Sequence, residues 1–240
     1  MTAAAGRATR ALPALFALLT AVHLGALLMD ATTVVHATKP ALMPVLAGWA
    51  LVRGGPWPLP AALVCGCGGD VLLQIGGDTA FLAGMGCFAA GHLCYLALFT
   101  RAGRGALFGR AERGPLSTRA GWPRTAPWMA AGYGAAWLGT VALLWSGLAS
   151  HLRLPVAGYS LLLTVMALAA LGAGPWTGLG GALFMLSDTL IAAGLADWPR
   201  PPVPQFWIMA TYIAAQWLLM AGATRDAVPR PGPRPALIRP

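Results

Sequence analysis

The sequence predicts an all-α, polytopic integral membrane protein with about eight transmembrane helices. Three observations carry this prediction. The 240 residues are 58% hydrophobic and only 10% charged, with a mean hydropathy of +0.67. Apolar runs of about 20 residues, the length of one bilayer crossing, recur along the chain. The positive charges cluster in alternate connections between those runs. Soluble domains carry about 25% charged residues, so a water-facing globular fold is excluded.

The runs can be justified in order. The first, 11–30, follows Arg7 and Arg10. It is long for a signal-peptide core and lacks a clear small-x-small cleavage site, so it reads as a retained helix. The second, 38–53, opens with Lys39 before Pro40, a pairing that suits a first helical turn. The third, 58–76, is punctuated by Gly66, Gly68 and Gly69. The fourth, 79–100, places His92 and Tyr95 on one face, since residues three and four apart are neighbours on a helix. A basic, glycine-rich loop, 101–124, follows. Runs at 125–148, 153–172, 176–195 and 204–222 complete one membrane domain over 1–224. The Pro/Arg tail, 225–240, has the composition of a disordered segment.

A net charge of +9 invites a nucleic-acid reading, but its distribution argues against one. In an eight-helix zigzag, Arg7, Arg10, Arg53, the 101–124 arginines and the tail arginines share one side. Lys39, Arg153 and Arg200 fall on the other. This is the positive-inside pattern, which puts both termini in the cytoplasm of a bacterial inner membrane. The basic face then meets anionic headgroups. Cys65, Cys67, Cys87 and Cys94 all lie in helices with no zinc-like Cys/His spacing, so they read as small apolar packing residues and no metal is expected.

An internal repeat is visible. The third run contains 69-GDVLL-73 and the seventh 187-SDTLI-191, each with an aspartate about two thirds of the way along. The fourth then carries His92 and Tyr95, and the eighth Tyr212 and Gln216. Two parallel four-helix halves fit this pattern.

Polar groups inside the membrane are the informative residues. A charged carboxylate at bilayer depth costs about 3 kcal/mol on the most lenient scales, so it faces the bundle interior or a wet cavity. Asp70 shares a face with Gly66, Cys67 and Gln74. Asp70 and Asp188 are both displaced toward the non-cytoplasmic half, and Lys39 lies at that edge. His92 and Tyr212 fall nearer the midplane. A single pocket gathering all five is the expectation. The structural alternatives are interhelical hydrogen-bond glue for the aspartates, a packing role for His92 and a snorkelling anchor for Lys39. Tyr95, Tyr159 and Tyr212 read more readily as structural.

The stretches 39-KP-40, 69-GDVLL-73, 81-FLAGMGCFAAGHLCY-95 and 181-GALFMLSDTLIA-192, in this order and spacing, resemble the YhhN/TMEM86 family over about residues 36–220. The resemblance implies an eight-helix membrane hydrolase without cofactor. It would cleave the vinyl ether of lysoplasmalogens to a fatty aldehyde and a glycerophospho-alcohol. The partners implied are a lysophospholipid and the bilayer.

The chemistry suits the residues. Protonating the vinyl ether β-carbon gives an oxocarbenium ion that water attacks, and the hemiacetal then collapses. A carboxyl removed from water holds its proton more tightly, and two neighbouring carboxyls separate their titrations. Asp70 and Asp188 are the candidate catalytic pair, with acid and base unassigned. Lys39, His92, Tyr95, Tyr212 and Gln74 are candidate substrate-binding residues. Lys39 has two candidate roles, binding the lipid phosphate or pairing with Asp70. A proton-coupled transporter and a non-catalytic lipid-binding protein are the competing readings, because buried carboxylates and parallel repeats suit both.

The arginine asymmetry makes a topological prediction. Cysteines introduced at Gly103 and in the tail should react with an impermeant thiol reagent only from the cytoplasmic side, and one beside Asp197 only from outside. The opposite pattern would overturn the orientation.

Overall fold

The computed structural model of the protein describes residues 3–108 and 127–225. Eight helices follow in order: α1 Ala3–Leu28, α2 Thr32–Val52, α3 Pro58–Ile75, α4 Asp78–Phe108, α5 Pro127–Leu144, α6 Ser150–Ala173, α7 Pro175–Leu195 and α8 Pro204–Arg225. Six of them, α1, α3, α4, α6, α7 and α8, are long and apolar enough to cross a membrane. The protein is therefore a multi-pass, all-α membrane protein. The other two are less apolar for reasons visible in their residues. α2 carries Thr32, Thr33, His36, Thr38 and Lys39, and α5 is rich in glycine and aromatic residues.

Consecutive helices pack against each other within each half, α1 to α4 and α5 to α8. The halves meet where α4 packs on α6 and where α8 packs on α2. α8 also packs on α1 and touches α3, so the α4–α6 and α8–α2 contacts, which a parallel repeat would pair, are not all that joins the halves. α8 lies at the centre, with Ile208, Met209, Tyr212, Ile213, Gln216, Leu219 and Met220 buried. α5 is peripheral, and of its residues only Leu144 is buried.

Several boundaries differ from the sequence reading. α2 starts at Thr32, so Lys39 sits two turns inside the helix and not at its mouth. Both Pro40 and Pro44 are internal. Pro44 has no N–H, which releases the carbonyl of Pro40 from its helical partner. The thiol of Cys67 donates to that oxygen at 3.3 Å, so the cysteine bonds a released carbonyl as well as packing. α4 runs on to Phe108, eight residues into the expected loop. The glycines there weaken a helix, but the first proline comes only at Pro115. α5 ends early at Leu144 and α6 starts early at Ser150, which places Arg153 in the first turn of α6. Arg110, Arg113, Arg119, Arg124, Arg230, Arg234, Arg239 and the rest of the expected tail lie outside the described residues.

Glycine is required where α3 meets α4. Gly76 and Gly77 both adopt φ of +81°, a left-handed conformation that reverses the chain in two residues. Within α3, a Cβ on Gly69 would stand 2.5 Å from the Phe88 ring, so α4 approaches Asp70's helix at van der Waals distance only because this position is bare.

The Cys67 bond predicts a graded result. Cys67→Ala should lower stability by about 1 kcal/mol, the typical net value of one hydrogen bond, while Cys67→Ser keeps a donor and loses less. Thermal unfolding in detergent distinguishes them. Identical melting temperatures for the two variants would remove the role.

Candidate active site

Asp70 is buried within α3, 3% exposed. Lys39 of α2 places its ammonium 3.6 Å from Asp70 Oδ1. The Tyr212 hydroxyl of α8 donates to Oδ2 at 3.0 Å. Three helices thus converge on one carboxylate, and each of its oxygens has a partner. Gly66, one turn earlier, makes room for this arrangement. A Cβ there would lie 2.9 Å from the Tyr212 hydroxyl and 3.2 Å from Gln216 Nε2. Gln216 in turn accepts the Tyr95 hydroxyl at 2.5 Å, a buried link between α8 and α4.

Asp188 has a different environment. The Tyr159 hydroxyl of α6 donates to its Oδ2. His92 Nε2 of α4 lies 3.1 Å from that same hydroxyl. Because the phenol proton points at Asp188, Nε2 must carry the hydrogen and donate to the phenol oxygen. His92 Nδ1 is then a buried acceptor without a partner among the described residues. No cation is paired with Asp188 among the described residues, and its Oδ1 has no hydrogen-bond partner there.

The two groups occupy equivalent places in the halves. Each aspartate takes a partner from the preceding helix, Lys39 in the first half and Tyr159 in the second. Phe184 joins them, packing edge-on against His92 at 4.7 Å and against Tyr212 at 5.5 Å between ring centroids. Phe88 packs edge-on against Tyr212 at 5.9 Å.

Cavities mark what a ligand can reach. One of about 240 Å³ lies between α5, α6 and α7, with Asp188, Tyr159, Ser160, Thr164 and Arg153 in a wall that is otherwise largely apolar. A smaller one of about 50 Å³ lies on the far side of the Tyr159–Asp188 pair, against Phe88 and Met85. Tyr159 and Asp188 line both, which is why they are only half-buried. Asp70, Lys39, His92 and Tyr212 line neither.

The expected single pocket is therefore corrected to two clusters in contact through aromatic rings. Lys39, Asp70 and Tyr212 form one, and His92 and Asp188 the other. Tyr95 meets Gln216, and the Gln74 amide nitrogen is buried without a partner among the described residues. Tyr159 was missed as a site residue, although its offset before Asp188 nearly repeats that of Lys39 before Asp70. In the sequence Arg153 counts only toward the charge asymmetry, at the start of the run 153–172. Among the described residues, no three of His, Cys, Asp or Glu converge as metal ligands do.

A profile of the YhhN family matches residues 34–223. The chain belongs to the YhhN family. Lysoplasmalogenase TMEM86B from Homo sapiens is 33% identical over 189 residues, covering 77% of this chain and 73% of that protein. The rat protein of the same name is 32% identical over 78% of this chain and 71% of its own length. A protein named lysoplasmalogenase from Mycobacterium bovis is 32% identical over 69% of this chain and 59% of its own. No solved structure matches the chain significantly. The stretch matched to the YhhN family contains both aspartates, Lys39, His92, Tyr159 and Tyr212, and omits all of α1.

The crowding at Gly66 makes a prediction. Gly66→Ala must push Tyr212 away from Asp70 or shift α8, and overpacking of this kind costs about 1–3 kcal/mol. A lowered melting temperature is expected, and adding Tyr212→Phe should then cost less than it does alone. Strict additivity of the two changes would show that they do not share this contact.

Proposed function

We propose that this chain hydrolyses the vinyl ether bond of lysoplasmalogens within the membrane, with Asp188 as the proton donor. The relatives named lysoplasmalogenase support the reaction class. The mechanism rests on Asp188, hydrogen-bonded to Tyr159, lining the 240 Å³ cavity.

The charge pattern supports an assignment of roles. Asp70 has a lysine beside it and is the ionised member. Asp188 has a phenol beside it and no cation among the described residues, and an unmatched anion in an apolar wall is expensive. Asp188 is the member that carries a proton. Its Oδ2 accepts from Tyr159, which leaves the Oδ1 hydroxyl to face the ligand.

The steps balance in atoms and charge. The Oδ1 proton passes to the β-carbon of the vinyl ether, leaving an oxocarbenium ion opposite the new carboxylate. Water adds to the carbon bearing the ether oxygen and gives its proton back to Asp188. The hemiacetal then breaks to the aldehyde and the glycerol hydroxyl. Tyr159 and His92 hold the Asp188 carboxyl in one orientation throughout. Asp70 acts at one remove, as a positioning residue that pairs with Lys39 and fixes Tyr212 against Phe88 and Phe184. Placement in a bacterial inner membrane with both termini in the cytoplasm accompanies this reading and rests on the arginine asymmetry.

Asp188→Asn keeps the shape and removes the transferable proton. Aldehyde release from a 1-alkenyl-glycerophosphocholine should fall by about 10²–10⁴, the usual range for general acid catalysis. Near wild-type turnover would refute the assignment. Asp70→Asn leaves the Lys39 ammonium unmatched, and breaking a buried pair costs about 3–5 kcal/mol. The double variant Lys39→Met/Asp70→Asn should therefore melt above Asp70→Asn alone. If it does not, the pair has no structural role.

A further inference from the structure

We infer that Arg153 is the phosphate anchor of the substrate cavity, holding the lipid so that its vinyl ether reaches Asp188. The inference rests on the preceding reading that the substrate is a lysophospholipid.

Arg153 lines the same cavity as Asp188 and Tyr159. Its Nε donates to the Leu148 carbonyl at 3.0 Å, and its guanidinium lies 5.8 Å from the centre of the Trp145 ring. These contacts orient the fork while leaving the two terminal nitrogens as donors. No carboxylate pairs with Arg153 among the described residues. Its place on α6 is electrostatically unusual. A helix N-terminus carries partial positive charge, so a cation in the first turn is disfavoured there. The first turn of α6 has no acidic residue of its own, and the carboxylate that reaches it, Asp78 of α4, is paired with His151 at 2.9 Å and not with Arg153. An anion bound at Arg153 would answer both charges, and a guanidinium fork matches phosphate oxygens two at a time. Lys39, the other candidate, already sits against Asp70.

The spacing fits the ligand. Arg153 and Tyr159 are six residues apart on α6, about 9 Å of axial rise. The extended chain of bonds from phosphorus through glycerol to the vinyl ether β-carbon has a similar length. Beyond the aspartate, the apolar chain also has somewhere to go. Ala136 and Met185 line both the substrate cavity and a groove of about 490 Å³ that runs past Trp128, Tyr133 and Leu171. From Tyr159 to Leu171 the rise is about 18 Å, comparable to a long hydrocarbon chain. Phosphate, vinyl ether and chain thus meet a cation, a carboxyl and an apolar groove in the order the lipid presents them.

The test compares two substrates and two saturated analogues that cannot be cleaved. With purified protein, Arg153→Gln should raise KM for 1-alkenyl-glycerophosphocholine by 10–100-fold with kcat within about threefold. For 1-alkenylglycerol, which lacks phosphate, kcat/KM should change by less than about threefold. Arg153→Lys should recover part of the loss. A fall in kcat with KM unchanged, or equal losses on both substrates, would overturn the anchor. Binding of the saturated 1-alkyl analogues keeps this result separate from the hydrolysis reading. Wild type should bind the glycerophosphocholine form at least tenfold more tightly than the glycerol form, and Arg153→Gln should abolish that preference. A retained preference would overturn the inference even if no aldehyde is formed. Inorganic phosphate alone should give no thermal shift at millimolar concentration. A shift equal to that of the lipid analogue would mark a site for free phosphate and exclude the lipid anchor.

Discussion

A carboxylate in a hydrocarbon slab must be matched, and the bundle is organised around matching Asp70. The Lys39–Asp70 pair ties α2 to α3, and Tyr212 ties α3 to the central helix α8. Neither tie is available to a helix packed by itself, because each oxygen of Asp70 takes its partner from a different helix. Apolar surface does little to choose between helix pairings in lipid, since tails are as apolar as leucine side chains. Polar contacts with directional demands choose them instead. Bare positions such as Gly66 and Gly69 let the helices come close enough for those contacts to form.

The two halves solve the same problem with different chemistry. The first half meets its aspartate with a lysine, and the result is a neutral, closed pair. The second meets it with a tyrosine, which supplies a hydrogen bond and no charge. That difference is what makes Asp188 the reactive carboxyl in the proposed mechanism. The packing differs in the same sense. Around α8 the interior is filled, whereas α5 leaves a cavity beside Asp188. In the proposed mechanism one carboxylate thus serves architecture, closed against Lys39 and Tyr212, while the other borders a cavity.

The sequence was legible where rarity carried the signal. Seven acidic residues in 240 and a single lysine make Asp70, Asp188 and Lys39 conspicuous against an apolar background. Helix-face spacing linked His92 with Tyr95 and Tyr212 with Gln216, and each of these four makes a side-chain hydrogen bond across helices or within the site. The single pocket was not legible, because two clusters separated by Phe184 and Phe88 look the same as one when only depth is known. Tyr159 was one of four tyrosines with no local pattern, and its role comes from α6 lying between α4 and α7. The start of α2 was misread because Pro40 obeys a first-turn rule locally. The compensating thiol comes from Cys67, on another helix.

The position of the reactive carboxyl also bears on how water is controlled. Asp188 lies two turns inside α7, between a small apolar cavity and a larger one bounded by the loosely packed α5. An oxocarbenium ion formed in open water would be captured without selection, and an enol ether in an acidic aqueous site would hydrolyse whatever its chain. Under the proposed mechanism, a site beneath a peripheral helix would admit a lipid from the bilayer and limit water to what fits beside it. Ser160 and Thr164, one and two turns along α6 from Val156, give the α6 side of that wall two hydroxyls, and both already donate to backbone carbonyls. Ser160 also accepts from Trp137 Nε1 at 3.1 Å, whereas the Thr164 oxygen accepts from no group among the described residues, so a water held at Thr164 would point a hydrogen at the wall and a lone pair at the cavity. That orientation suits addition to a cationic carbon. In the proposed mechanism the proton donor on α7 and an acceptor oxygen on α6 thus line one cavity beside the peripheral α5.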